Sequence, residues 1–128
     1  MERFTNAELE QAQKTLASTI RKNEKVYVTL SQKTPPRLGQ MKLAARSLQN
    51  LRVYLALVED ARTGTHTEWA AEDLETALAA IPGDTTRIEA VLPKFRPGTS
   101  QHTLAARRIA AYEMAAALAQ AARDHLRA

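Results

Sequence analysis

Apolar side chains return with a period near 3.6 along four segments of this chain, which commits it to amphipathic helices that must cover one another's faces. The first stripe runs through Leu9, Ala12, Leu16, Ile20, Val26 or Tyr27, and Leu30. Thr5-Asn6-Ala7-Glu8 reads as a capping box, with Phe4 placed as a hydrophobic staple, so this helix is expected from about residue 6 to about residue 30. Gln32-Lys33-Thr34-Pro35-Pro36-Arg37 cannot continue it, because proline lacks the amide proton and pushes the preceding residue out of the helical region.

A second stripe carries Leu38, Met41, Ala45, Leu48, Leu55 and Val58, widened by Leu43, Val53 and Leu57, and predicts a long, well buried helix. Gly64 suits the left-handed position after it, and Thr65 to Glu68 reads as another capping box. The third helix is expected to run through Trp69, Leu74, Ala77, Leu78 and Ile81 and to break or kink sharply at Pro82-Gly83. Asp84 or Thr85 would cap a continuation bearing Ile88, Val91, Leu92 and Phe95. Pro97 and Gly98 then lead into a fourth helix with Leu104, Ala111, Ala115, Leu118, Ala122 and Leu126 on its stripe. Trp69, the only tryptophan, is expected to anchor the hairpins, and the alanines at 115 to 117 permit close helix approach or a flat seam for a partner helix.

The four segments read as two copies of one unit. Leu43-Ala44-Ala45-Arg46 recurs as Leu104-Ala105-Ala106-Arg107, and the same register pairs Leu51 with Tyr112, Val53 with Met114 and Leu57 with Leu118. Upstream, Phe4 pairs with Trp69, Leu9 with Leu74, Ala12 with Ala77, Leu16 with Ile81 and Val26 with Val91. A lone hairpin cannot bury its apolar faces, so the expected fold is all-α. It is an antiparallel four-helix bundle of two tandem hairpins, about 4–62 and 67–126, in a single domain of 128 residues. A composition of 45% hydrophobic but only 5% aromatic residues favours such alanine-mediated packing over a sheet.

Charge is distributed by position. No acid occurs between Glu24 and Glu59, where Lys33, Arg37, Lys42 and Arg46 fall, nor between Glu89 and Glu113, where Lys94, Arg96, Arg107 and Arg108 fall. In an up-down-up-down bundle these cations converge on the end that holds both hairpin turns. The helix dipole accounts for bases late in the first and third helices, but the second and fourth place cations near their own amino ends, against that preference. A choice that opposes local stability points to binding.

At that pole, Gly98, Thr99, Ser100, Gln101 and His102 open the fourth helix, and Arg107 and Arg108 follow one to two turns in. Exposed first-turn amides, a glycine that lets backbone approach and two guanidinium groups favour an anion. Taken singly, Thr99 or Ser100 reads as a plain cap, His102 as a loop-packing residue and the arginines as solvated charges. The expected ligand set is therefore Gly98 to His102 with Arg107 and Arg108, and the secondary basic pole is Lys33, Arg37, Lys42, Arg46, Lys94 and Arg96.

No catalytic residue is expected. Ser100 and His102 have no neighbouring acid to orient the imidazole, so an enzyme would rest on His102 alone. No metal or cofactor is expected either, since there is no cysteine and His66, His102 and His125 lack ligand spacing. No charge-free apolar run approaches the roughly 20 residues that span a bilayer, and Met1-Glu2-Arg3-Phe4 lacks a signal-peptide core, so a cytoplasmic protein without membrane contact is expected.

The stretch Gly98-Thr99-Ser100-Gln101-His102-Thr103-Leu104, with Arg108 and Ile109, resembles a group of small uncharacterised bacterial proteins of Firmicutes type. Their single helical hairpin carries a Gly-Thr-Ser-Gln-His-Thr-Leu turn and an Asn-Arg-Ile-like helix start. Arg107 stands where that pattern has asparagine, and of the corresponding positions in the first hairpin only Gln40 matches. The resemblance implies that single-hairpin relatives pair as dimers and that this chain fuses two units, leaving one intact motif. It implies no activity. The function expected from these features is a non-enzymatic binding or regulatory accessory, monomeric or homodimeric, taking an anionic small molecule or a protein partner at the basic pole. The alternatives are nucleic-acid binding, which a net charge of +4 and few aromatics support weakly, and a structural protein–protein interaction module using the alanine seam.

Overall fold

A computed structural model describes residues 3–127 and shows an all-α four-helix bundle. Helix α1 spans Asn6–Ser31, α2 Leu38–Thr63, α3 Ala71–Val91 and α4 Ser100–Arg127, with a 3-10 turn at Leu92–Lys94. The capping box forms at the start of α1: the Glu8 amide donates to Thr5 Oγ1 at 3.1 Å and the Thr5 amide to Glu8 Oε1 at 2.9 Å. Those bonds, the Thr5 amide first, hold the Glu8 carboxyl below its ordinary range. Gly64 ends α2 with φ +74°, its amide donating to Asp60 O at 2.9 Å, as a left-handed cap requires.

Two expectations for the third helix are corrected. The Thr65–Glu68 capping box does not form: the Thr65 hydroxyl pairs with that of Thr63, and the Thr67 amide beside it donates to Asp60 Oδ2. The helix begins only at Ala71, leaving Trp69 before it and packed against the core. Nor does α3 break at Pro82-Gly83. It runs on to Val91 with the proline inside it. Pro82 is exposed, and Leu78 and Ile81 before it and Ile88 after it all pack on the core, which holds the helix on course through the residue that lacks an amide donor. Asp84 and Thr85 are consequently not caps: Asp84 accepts from Tyr54, and the Thr85 hydroxyl donates back to Ile81 O.

α1 packs along α2 and α3 along α4, as two hairpins whose turns share one end. Between them α4 touches α1 and α2 touches α3. The cross-section is a rhombus. α2 and α4, parallel across one diagonal, approach closely, while α1 and α3 across the other stay apart. Ala111, Ala115 and Ala119, all buried on α4, provide the small surface that such an approach needs. Tyr54 of α2 and Tyr112 of α4 meet across this diagonal, ring centres 5.7 Å apart and tilted by 59°. Five pairs of the sequence register are buried alike, Leu9 and Leu74, Ala12 and Ala77, Leu16 and Ile81, Leu51 and Tyr112, Val53 and Met114, whereas Leu57 is buried and Leu118 only half-buried.

The core fills only the half of the bundle remote from the hairpin turns. Buried apolar residues end at Ile20 on α1, start at Leu48 on α2 and end at Ile81 on α3. The expectation of a well buried α2 therefore holds for its second half alone. In the first, Leu38 is 71% and Leu43 62% exposed, since no helix covers the stripe there.

Candidate functional site

Where the core stops, the hairpins leave a cleft of about 730 Å³ between them. α1 lines it with Thr19, Lys22, Asn23 and Val26, and α2 with Leu43, Arg46, Ser47, Asn50 and Leu51. The opposite wall is Gly83, Asp84, Arg87 and Ile88 from α3, and Arg108 and Tyr112 from α4. The floor follows from the same stripes that build the core, continued one turn past the last buried layer. Thr19 and Asn23 interrupt that stripe on α1 and satisfy themselves locally, the Thr19 hydroxyl donating to Thr15 O at 2.8 Å and Asn23 Nδ2 to Thr19 O at 2.9 Å.

The cleft contains one carboxylate and four cations. Asp84 is already engaged: the buried Tyr54 hydroxyl donates to its Oδ2 at 3.2 Å, and Arg87 forms an ion pair with its Oδ1. Burial, reinforced by the Asp84 charge, pushes the Tyr54 and Tyr112 hydroxyls above their ordinary range. Both stay neutral donors at any physiological pH. Lys22, Arg46 and Arg108 form no ion pair among the described residues, so the cleft carries an uncompensated positive charge. Arg108 Nε is withdrawn from water and has no hydrogen-bond partner. A buried donor left so is destabilising by about 1–3 kcal/mol until something accepts its hydrogen.

The sequence-predicted residues separate into two places. Gly98, at φ +89°, makes the turn, and Thr99 caps α4, accepting from the His102 amide at 3.3 Å and donating to Arg96 O at 2.7 Å. Ser100 and Gln101 are exposed on the first helical turn and His102 is half-buried beside them. Arg108 lies eight residues beyond Ser100, about 12 Å along the axis, and faces the cleft. Arg107, turned by about 100°, is exposed and lies outside the cleft lining. Of the secondary set, Arg46 lines the cleft, whereas Lys33, Arg37, Lys42, Lys94 and Arg96 are exposed around the turns.

Lys22, Arg87, Asn50 and Tyr112 were not among the expected site residues. A signal existed: Lys22 and Arg87 are related by the same register as Leu9 and Leu74, and Asn50 interrupts an otherwise apolar face of α2. Among the described residues no His, Asp and Glu side chains gather as a metal site, and no helix is long and apolar enough to cross a membrane. No protein-family model, curated protein or solved structure matches this chain.

Proposed function

We propose that this protein is a non-enzymatic binding module that accepts an anionic group in the cleft between its hairpins. The observation that carries this is the set of three cations without an ion-pair partner, Arg108, Arg46 and Lys22, lining a cleft whose one carboxylate among the described residues is spent on Tyr54 and Arg87. An incoming phosphate or carboxylate would pair with the guanidinium groups of Arg108 and Arg46 and with the Lys22 ammonium, neutralising the charge that no carboxylate of the cleft balances. The turn from Gly98 to His102 then serves to start α4 so that Arg108 is presented, with Thr99 as its cap. The two hairpins are read as copies of one unit, as the resemblance implies, acting in the cytoplasm as a binding or regulatory accessory.

Thermal shift with inorganic phosphate, sulfate and pyrophosphate, against sodium chloride at matched ionic strength, tests the assignment. Saturation at a hundredfold excess over Kd stabilises by about 2.7 kcal/mol, a rise of several degrees in Tm. Arg108→Gln should abolish the shift and Arg107→Gln should leave it; equal shifts in both variants would remove the cleft from consideration. The exposed Lys33, Arg37, Lys94 and Arg96 at the same pole favour a second reading, nucleic-acid binding. It predicts duplex or single-strand binding that weakens steeply with salt and is lost on neutralising the turns rather than Arg108.

A further inference from the structure

Among the described residues seven large apolar side chains are conspicuously exposed, and six of them, Val26, Val28, Leu38, Leu43, Val91 and Leu104, lie in the half that holds the cleft. Two of the six, Val26 and Leu43, line the cleft itself. Between them and the last core layer stand Leu51, Ile88 and Tyr112, so the cleft has an apolar floor continuous with the core and cations around it. Water solvates the exposed Lys22 and Arg46 well enough, yet it gains nothing from Val26 at 44% and Leu43 at 62% exposure. A plain inorganic anion leaves those side chains as wet as before. A ligand that satisfies both surfaces carries its charge at one end and an apolar body at the other.

We infer that the cleft binds a single anionic amphiphile, an alkyl or arylalkyl chain ending in a phosphate or carboxylate, taken up as a soluble monomer. This rests on the anion site proposed above and specifies its ligand. The head group sits against Arg108, Arg46 and Lys22, and the chain lies on Leu51, Ile88 and Tyr112 with Leu43 and Val26 closing over it. A volume of about 730 Å³ falls within the range of small-molecule sites, and walls from both hairpins suit one molecule lying in an open cleft rather than the flat face of a bilayer.

Titration calorimetry of the full chain with ethyl, butyl, hexyl and octyl phosphate, each below its micelle-forming concentration, measures the apolar contribution directly. One-to-one binding is expected, tightening by up to about fourfold per methylene as the chain is buried. Leu43→Asn, at a position too exposed to disturb the core, should flatten that series, weakening octyl phosphate far more than ethyl phosphate; Arg108→Gln should weaken every member by a similar factor. Binding of inorganic phosphate with no dependence on chain length overturns the amphiphile and leaves the anion site standing. Absence of binding by phosphate and every alkyl phosphate overturns both. Octyl glucoside binding as tightly as octyl phosphate shows that the charge is not read, and also overturns it. So does capture of the protein by phosphatidylglycerol vesicles when no soluble alkyl phosphate binds, which assigns the apolar half to a membrane surface.

Discussion

Tyr54 is fully buried, and its hydroxyl on α2 reaches Asp84 on α3 at 3.2 Å, making it a polar tie between the hairpins. Tyr54→Phe removes that hydroxyl and keeps the ring against Tyr112. A hydrogen bond to a charged acceptor contributes roughly 1.5–3 kcal/mol, and Asp84 retains Arg87 and is 21% exposed, so the lower end applies, about 1.5 kcal/mol at neutral pH. For a domain of this size that lowers Tm by about 6 °C. Alkaline pH adds a second test. The folded-state pKa of Tyr54 is raised above its ordinary value of 10.0, so the unfolded chain loses this proton first. Its contribution is complete below pH 10 and is lost as pH rises above it, with a slope of up to about 1.4 kcal/mol per pH unit for each such tyrosine. Tyr112 is raised in the same direction, so Tyr54→Phe should leave roughly half the alkaline slope. Urea denaturation at pH 7 and at several values above pH 10 measures both effects. A variant as stable as the wild type at pH 7, with an unchanged alkaline slope, would refute the tie.

Three further outcomes follow from the packing. Pro82→Ala should raise stability by about 2 kcal/mol in urea denaturation, because the helix already runs through this exposed position and regains an amide donor; a loss of stability would mean that the proline shapes α3. Ala115→Leu should cost about 1–3 kcal/mol, since Ala115 is fully buried where α4 approaches α2, whereas Ala106→Leu, on the exposed face, should be near neutral. Thr5→Ala should return the Glu8 carboxyl toward its ordinary pKa in an NMR titration, because the two caps depend on each other.

Four helices and their hairpin pairing were legible because a 3.6-residue stripe, the Thr5-Glu8 box and Gly64 are local signals that tertiary structure had no reason to override. The Thr65-Glu68 box was misread because the Thr65 hydroxyl turns back to Thr63 and Asp60, on the preceding helix, ties down the neighbouring Thr67 amide, which no local pattern reveals. Pro82 was misread for a related reason. Its effect depends on how firmly the residues on either side are held, here Leu78, Ile81 and Ile88 on the core, and that is settled by the position of the neighbouring helices. The site was half legible. Charge asymmetry pointed to the pole where the cleft lies and named Arg46 and Arg108, which line it. The turn drew attention away from the cleft because a helix start looks like an anion site in any sequence, and Leu43 read as core because a stripe cannot say where its covering helix ends.

The buried layers that stop at Ile20, Leu48 and Ile81 also divide the molecule by how easily its parts open. Amides between Leu48 and Val58, and between Ala111 and Ala119, sit against packed side chains and exchange with deuterium only when the whole bundle unfolds. Those of residues 38–47 have little behind them and exchange through local opening at small free-energy cost. The remote half thus works as a clasp and the turn half as two jaws, whose spacing can follow the size of what lies between them while the clasp stays shut.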